Sequence, residues 1–480
     1  MKPISIKEVC SAVNGRLLGG DPATAIGSVS TNSKELVADA AFFALVARRD
    51  GHEFVSDAFA SGASLAVVSK PVPVPDGKAA VLVADTLEAL GQLASWYRST
   101  MPATVIGITG SNGKTTTKEM LAHVLAGAAA TVKSPGNFNN NIGVPHTLFQ
   151  IEPSDKFAVV EMGTNARGEI RRLAVIARPQ VGIITNISAA HLEGLANPRG
   201  VADEKSCLIE ALPASGTAVL NADDFWSRRI ASRTSARIIT YGFDETADVR
   251  ATAVQSLANG SRFDVMGTSF HLSILGGHNV CNALAAITAA LNAGLDLELI
   301  RQRLATFRLP PMRMERITSG SIVILNDAYN ANLESMLGAI REFSRLPVTG
   351  RKVMICGDMF ELGEQSDEIH REIGRRIAAA GLHLVLAVGE QVRHVVRGAV
   401  AAGMTEQRIQ HCPNLQAAQA VLPGILEKGD TVLLKASRRM QLELLVGTIE
   451  SCNSTGRPAQ TEAAEDIYHT VRATALQPMP

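Results

Sequence analysis

Nowhere in the 480 residues do about 18 apolar residues run uninterrupted, so no membrane-spanning helix is expected. The nearest approach, 124–132, is short and Ala-rich. A net charge is also missing: 46 Lys and Arg balance 46 Asp and Glu. That excludes the one-sided basic surface of a nucleic-acid binder, although phosphate can still be held locally. The six cysteines, at 10, 207, 281, 356, 412 and 452, form no CxxC pair. Scattered thiols in a long chain read as reduced and structural, which points to the cytoplasm. The first 15 residues lack the apolar core of a signal peptide. His52-Glu53 begins like a zinc-protease HExxH, but Ser56 stands where the second His would be. What the chain does have is 46% hydrophobic residues, enough for several buried cores, and a length that suggests about three domains.

Pattern divides the sequence into a small α/β segment at 1–84, a second segment at 85–312, a third at 313–452 and a tail at 453–480. The tail, rich in Ser, Thr, Ala and Pro, is expected to be weakly structured. The second segment carries buried-type strands at 104–109, 157–162, 181–187 and 217–221, as a parallel sheet covered on both faces would. It also carries an alternating, antiparallel-looking stretch at 248–275 and a long Ala-rich helix at 279–293. The third alternates strands at 321–327, 352–357, 384–389 and 430–435 with helices at about 332–345, 366–380, 391–402, 414–427 and 439–450. This is the pattern of a doubly wound, Rossmann-like sheet.

The strongest local signal is residues 107–117, Gly-Ile-Thr-Gly-Ser-Asn-Gly-Lys-Thr-Thr-Thr, between an apolar strand and an amphipathic helix. Glycines let backbone N–H groups approach phosphate, the helix N-terminus favours negative charge, Lys114 reaches terminal phosphates and Thr115 offers a hydroxyl to Mg²⁺. A glycine-rich turn with no ligand is the plain alternative, and the co-occurrence of strand, Gly113-Lys114-Thr115 and helix argues against it. Five residues separate Gly107 from Gly113, one more than in the general P-loop pattern.

The string GITGSNGKTTTKEM at 107–120 closely resembles the ATP loop of the Mur ligases, whose own variant has this spacing. The resemblance continues through GNFNNNIGVP (136–145), VEMGTNARGEI (160–170), ITNISAAHLEGL (184–195), LGGHNVCNALAA (275–286), NDAYNAN (326–332) and GDMFELGE (357–364). Three of these segments look like the branch that adds D-alanyl-D-alanine. The resemblance implies three domains: a small N-terminal α/β domain for the UDP-linked substrate, a central P-loop-type ATPase domain with a mostly parallel sheet, and the Rossmann-like third. It implies ATP-dependent addition of D-alanyl-D-alanine to UDP-N-acetylmuramoyl tripeptide through an acyl phosphate, with ATP and Mg²⁺, in the cytoplasm, by a monomer serving cell-wall synthesis.

Site residues follow by the same resemblance. Gly110, Ser111, Asn112, Gly113, Lys114, Thr115 and Thr116 form the ATP loop. His278, Asn279 and Asn282 lie on the adenine side, and Arg313, Asp327, Tyr329 and Asn330 come from the third domain. Thr115, Glu161, His191 and a carbamylated Lys205 serve metal, with Lys114, Glu161, His191 and Lys205 the catalytic set. Thr31, Ser33, Asn137, Asn140, Asn141, Thr164, Asn165, Lys435, Ser437 and Arg438 contact substrates. The sequence departs from the family pattern at Asn32 and Lys34, in place of Asp and Arg, at Leu333 in place of Pro, at Ala436 in place of Gly, and at Asp203-Glu204, in place of small residues before Lys205. Other ligases of the family would show a different specificity motif in the third domain. An inactive nucleotide-binding module would be expected to lose Lys114, Glu161 or His191. A P-loop kinase or GTPase would lack NDAYNAN.

Overall fold

The computed structural model describes residues 1–257 and 260–454; the tail called weakly structured, apart from its first two residues, lies outside them. Three larger sheets follow one another along the chain. The first runs, edge to edge, through Arg16–Leu18, Ala79–Leu82, Ala63–Val68, Ala40–Phe43 and Ser28–Ser30, parallel except for the antiparallel Arg16–Leu18. The third comprises Glu315–Ser319, Ile322–Asn326, Thr431–Lys435, Lys352–Gly357, Leu384–Val388 and Ile409–Cys412. It is parallel apart from its first strand.

The central sheet has nine strands. Seven of them, from Thr131–Lys133 through Phe157–Glu161, Thr104–Thr109, Val181–Ile184, Thr217–Asn221 and Arg237–Gly242 to Val249–Leu257, are parallel. Gly260–Val265 and Thr268–Leu272 complete it as an antiparallel meander, as the alternating pattern of 248–275 predicts. Thr104–Thr109 lies between Phe157–Glu161 and Val181–Ile184, so strand order reverses at its carboxyl end. Open α/β sheets bind ligands in that crevice.

Burial explains which strands were visible. Val181–Ile184 and Lys352–Gly357 are apolar and covered on both faces, whereas Arg237–Gly242 has two exposed residues at its start and reads as loop from sequence. Strand 181–187 ends early, at Ile184, because Thr185 and Asn186 turn their polar groups to the phosphate loop. The helix expected at 439–450 starts at Leu445 and runs to Ser454. Gln441, in the left-handed region at φ 51°, breaks the preceding residues into two 3₁₀ turns.

One apolar core joins the first sheet to the central one: Ile4, Phe43, Val67 and Val81 share it with Leu93, Val105, Val160 and Leu173. Helix Thr86–Ser99 fills the seam, capped by Asp85, which accepts from the amides of Leu87 and Glu88. Its Tyr97 accepts from the Lys2 amide and donates to the Ile151 carbonyl, both at 2.8 Å. The third sheet packs its faces into two cores that draw on residues after 313 alone.

Candidate active site

The loop leaving Thr104–Thr109 turns into helix Lys114–Leu125 with Gly113 as its N-cap. Helix geometry leaves the amides of Lys114, Thr115 and Thr116 without acceptors, since the first helical bond is Thr117 N to Gly113 O. These N–H groups make the anion cradle. The amides of Ser111 and Asn112 are used otherwise: they donate to Asn186, at 2.8 Å to its carbonyl and 3.0 Å to its side chain. Both glycines are required. A Cβ on Gly110 would lie 1.8 Å from Thr185 Oγ1, and one on Gly113, at φ 80°, 2.2 Å from Asn282 Oδ1. Gly113→Ala should therefore retain its fold by circular dichroism yet bind an ATP analogue about tenfold or more weakly by calorimetry. A left-handed Cβ costs about 1–2 kcal/mol and a tenfold change is about 1.4; unchanged affinity would remove this account of the loop.

Lys114 Nζ folds back onto the carbonyl oxygens of Gly110 (2.7 Å) and Ser111 (3.2 Å), a position from which it can pass to a phosphate oxygen. Burial, together with the nearby Arg313, lowers its pKa, and Glu161 opposes the shift. Glu161 closes strand Phe157–Glu161 and is 1% exposed. Its amide donates to Ser134 Oγ and its Oε1 accepts from Asn139 Nδ2 at 2.9 Å. Its Oε2 is buried without a hydrogen-bond partner among the described residues.

Lys205, on helix Pro198–Glu210, is fully buried, and its Nζ likewise has no partner among the described residues. Desolvation, then repulsion from Lys114, drives its pKa well below the lysine range, with Glu204 opposing, a direction that favours the uncharged amine. The unusual residues before it have their own work. Glu204 accepts from the amides of Gly168 and Ile170 and so fixes the start of helix Glu169–Ala177. Asp203 pairs with Arg233 at 2.5 Å. His191 sits at φ 54° with Nδ1 2.8 Å from Glu361 Oε2.

Glu161 Oε2 has no hydrogen bond and only Lys118 Nζ at 3.7 Å, and the buried Lys205 amine has no partner among the described residues, so both keep unused capacity. Among the described residues no three His, Cys, Asp or Glu side chains cluster as a metal site; by chemistry alone a hydroxyl, a carboxylate, an imidazole and a lysine able to become a carbamate suit a divalent ion.

At the start of helix Gly277–Asn292, Asn279 bonds the Leu275 carbonyl and Asn282, and Asn282 accepts from Thr117; His278 is exposed beside them. From the third sheet, Arg313 lies over the Tyr329 ring at 4.1 Å. Asp327 accepts from Lys435 Nζ at 2.6 Å and from the Met314 amide at 3.2 Å. Lys435 also donates to the Asn330 carbonyl, and Ser437 to that of Ala331. Arg438 pairs with Glu443. Leu333 starts helix Leu333–Arg345 behind an Asn332 cap, a place where Leu serves as well as Pro. Ala436 is fully buried and absent from the positive-φ residues, so its backbone makes no demand for glycine.

Toward the first sheet, Thr31 Oγ1 lies 3.5 Å from His146 Nε2, and the His146 ring neighbours Phe138 in the Asn-rich segment. Ser33 is buried, Asn32 and Lys34 exposed. Asn140 Oδ1 accepts from the Ile142 and Gly143 amides just ahead of helix Gly143–Phe149; Asn141 Oδ1 is buried without a partner among the described residues. Asn137 is exposed. Thr164 bonds Ala166 and Glu169, and exposed Asn165 donates its amide to Glu169. The structure thus gathers Lys114, Glu161, Lys205 and Arg313 around the loop, and joins Thr31 to the Asn-rich segment at a second place.

Several residues escaped the sequence reading. Lys118, fully buried, donates to the carbonyls of Ser134 and Gly136 at 2.8 and 2.9 Å and pairs with Glu119 and Glu161. A lysine in register with Leu121 and Leu125 on the apolar helix face was its signal. Asn139 holds Glu161, Asn332 Nδ2 donates to Asn112 Oδ1 at 2.9 Å, and Glu361 meets His191.

Residues 108–290 match the Mur ligase middle domain and residues 312–438 the Mur ligase, glutamate ligase domain. The UDP-N-acetylmuramoyl-tripeptide--D-alanyl-D-alanine ligase of Escherichia coli is 34% identical over 462 residues, covering 94% of this chain and 99% of the relative. That of Bacillus subtilis is 35% identical, covering 92% and 97%. Among solved structures, MurF from Acinetobacter baumannii superposes with a TM-score of 0.88 at 31% identity, covering 94% of this chain and 99% of that one. The Thermotoga maritima MurF ligase in complex with ADP gives 0.79 at 27%, covering 88% and 97%.

Proposed function

The chain belongs to the Mur ligase family, and we propose the following account of its reaction. It is an ATP-dependent ligase that adds D-alanyl-D-alanine to UDP-N-acetylmuramoyl tripeptide, giving the pentapeptide precursor of peptidoglycan. A terminal carboxylate oxygen of the tripeptide attacks the γ-phosphorus of ATP and ADP leaves. The free amine of D-alanyl-D-alanine attacks the resulting acyl phosphate at carbon, phosphate departs, the amine proton is lost and an amide remains.

One observation carries the assignment of roles: around a helix N-terminus with three unused amides stand Lys114, a Glu161 oxygen without a hydrogen bond and a buried Lys205 amine without a partner among the described residues. The amides of Lys114, Thr115 and Thr116 hold the phosphates, and Lys114 follows the charge as it moves from γ-phosphoryl to leaving group. Phosphoryl transfer asks chiefly for such positioning and neutralisation. Thr115, Glu161, His191 and carbamylated Lys205 are the residues that would hold Mg²⁺, which would neutralise phosphate charge. Arg313 and Tyr329 form a plane for the base, while Asp327, held by Lys435, faces the ribose. Thr31, Ser33 and the Asn-rich segment receive the UDP-linked substrate; Thr164, Asn165, Ser437 and Arg438 flank the reacting ends. Closing the third sheet onto the loop excludes water from the acyl phosphate. We place the enzyme in the cytoplasm as a monomer; Cys10, Cys207, Cys281, Cys356 and Cys412 are free thiols, which supports a reducing compartment.

Purified protein with Mg²⁺, ATP and UDP-N-acetylmuramoyl tripeptide should release phosphate only when D-alanyl-D-alanine is added, with a product heavier by one dipeptide less water. Release that needs a single free amino acid instead would assign another acceptor, and none with any acceptor would leave a nucleotide-binding module.

A further inference from the structure

His191 and Glu361 come from different sheets and meet at 2.8 Å through Nδ1 and Oε2. Both are non-glycine residues in the left-handed region, at φ 54° and 64°. Side chains rarely adopt that backbone, and where they do, surrounding structure holds them there. The bracing of Glu361 is visible. Its loop is pinned by the Met359 amide donating to His370 Nε2 and the Phe360 amide donating to Ser437 Oγ. His370 keeps that acceptor role because its Nδ1 donates to the Ser366 carbonyl at 2.7 Å. A Cβ on Gly363 would stand 4.0 Å from Glu193 Cα, so the two loops abut as well. An exposed ion pair alone contributes little and would not account for two strained residues brought together.

We infer that Glu361 is a positioning residue for His191: by accepting the Nδ1 proton it fixes the ring and turns the Nε2 lone pair to the reaction centre. The inference rests on the proposed reading of His191 as a metal ligand and goes beyond it, since it makes the third sheet part of that ligand's support. A histidine whose other nitrogen is held by a carboxylate is a better-oriented, more basic ligand, and losing such a support typically costs about 10–100-fold in metal affinity.

The test is Mn²⁺ titration, followed by electron paramagnetic resonance, of the full chain with a non-hydrolysable ATP analogue, using wild type, Glu361→Gln, Glu361→Ala and His191→Ala. Glu361→Ala is expected to weaken the site lost in His191→Ala by about 10–100-fold, and Glu361→Gln, which still accepts the hydrogen bond, by less. Nitrogen-15 spectra of the metal-free protein should show His191 protonated at Nδ1 in the wild type and shifted toward Nε2 protonation in Glu361→Ala. Wild-type Mn²⁺ affinity in Glu361→Ala while His191→Ala is weakened overturns the inference alone, as does an unchanged tautomer. Wild-type affinity in His191→Ala overturns the ligand reading beneath it. Melting curves identify any variant that fails to fold, and Glu361→Gln then carries the comparison.

Discussion

Lys205→Met should melt a few degrees higher than the wild type and turn over about a thousandfold more slowly. The Lys205 side chain is fully buried, its amine has no partner among the described residues, and burial drives its pKa down. An unsatisfied buried polar group costs about 1–3 kcal/mol, and a methionine fills the same space without that cost. In a domain of about 150–250 residues each kcal/mol moves the midpoint by about 2–4 °C. The melting comparison belongs in CO₂-free buffer with chelator, where the amine is unmodified. The catalytic loss follows if Lys205 works as a carbamate, because removing one preorganised electrostatic contact costs about 10²–10³. Intact mass measured under CO₂ should show one added CO₂ in the wild type alone. A variant that melts lower, or works within tenfold of wild type, would undo the argument.

The same substitution at Lys118 should have the opposite sign on stability. Lys118 is equally buried, but its amine serves two carbonyls and two carboxylates. Lys118→Met takes the donor from both carbonyls and the shared cation from Glu161 and Glu119, which keep only Asn139 and Lys133. Breaking a buried pair from one side costs about 3–5 kcal/mol, which lowers the midpoint by about 10 °C. Glu161 would also lose a neighbour 3.7 Å from its Oε2 that helps fix its position, so the apparent Mg²⁺ requirement should rise. Differential scanning calorimetry of both variants beside the wild type decides the pair; a drop at Lys118 of under about 2 °C would show that its contacts carry little.

The contrast between these lysines marks where sequence reading ends. Strands such as Phe157–Glu161 and Lys352–Gly357 were legible because burial on both faces makes all but one end residue of each non-charged and mostly apolar. Arg237–Gly242 was not, since its outer end is wet. Glu315–Ser319, an edge strand with alternating exposure, carries too little apolar character to separate it from a turn. At the site, Gly110, Gly113 and Lys114 announced themselves through spacing. Asn332 and Glu361 lay inside quoted motifs, yet their partners Asn112 and His191 are more than 150 residues away in the chain. No local pattern encodes such a pairing. That Glu204 binds amides at 168 and 170 could only be seen once two helices were packed.

The apolar core that runs from Ile4 and Phe43 into Val105 and Val160 has no counterpart at the other junction, where Leu309 packs backward and Met314 forward. In the currency of heredity this makes the enzyme a two-piece object. Residues before the Pro310-Pro311 junction must change together, because a substitution on either side of helix Thr86–Ser99 is felt across the seam. The part beyond it owns its hydrophobic interior and can be recombined whole. Under the proposed division of roles, a new acceptor preference would arise by exchanging that part as a cassette, while the UDP-linked donor would stay tied to the machinery that activates it.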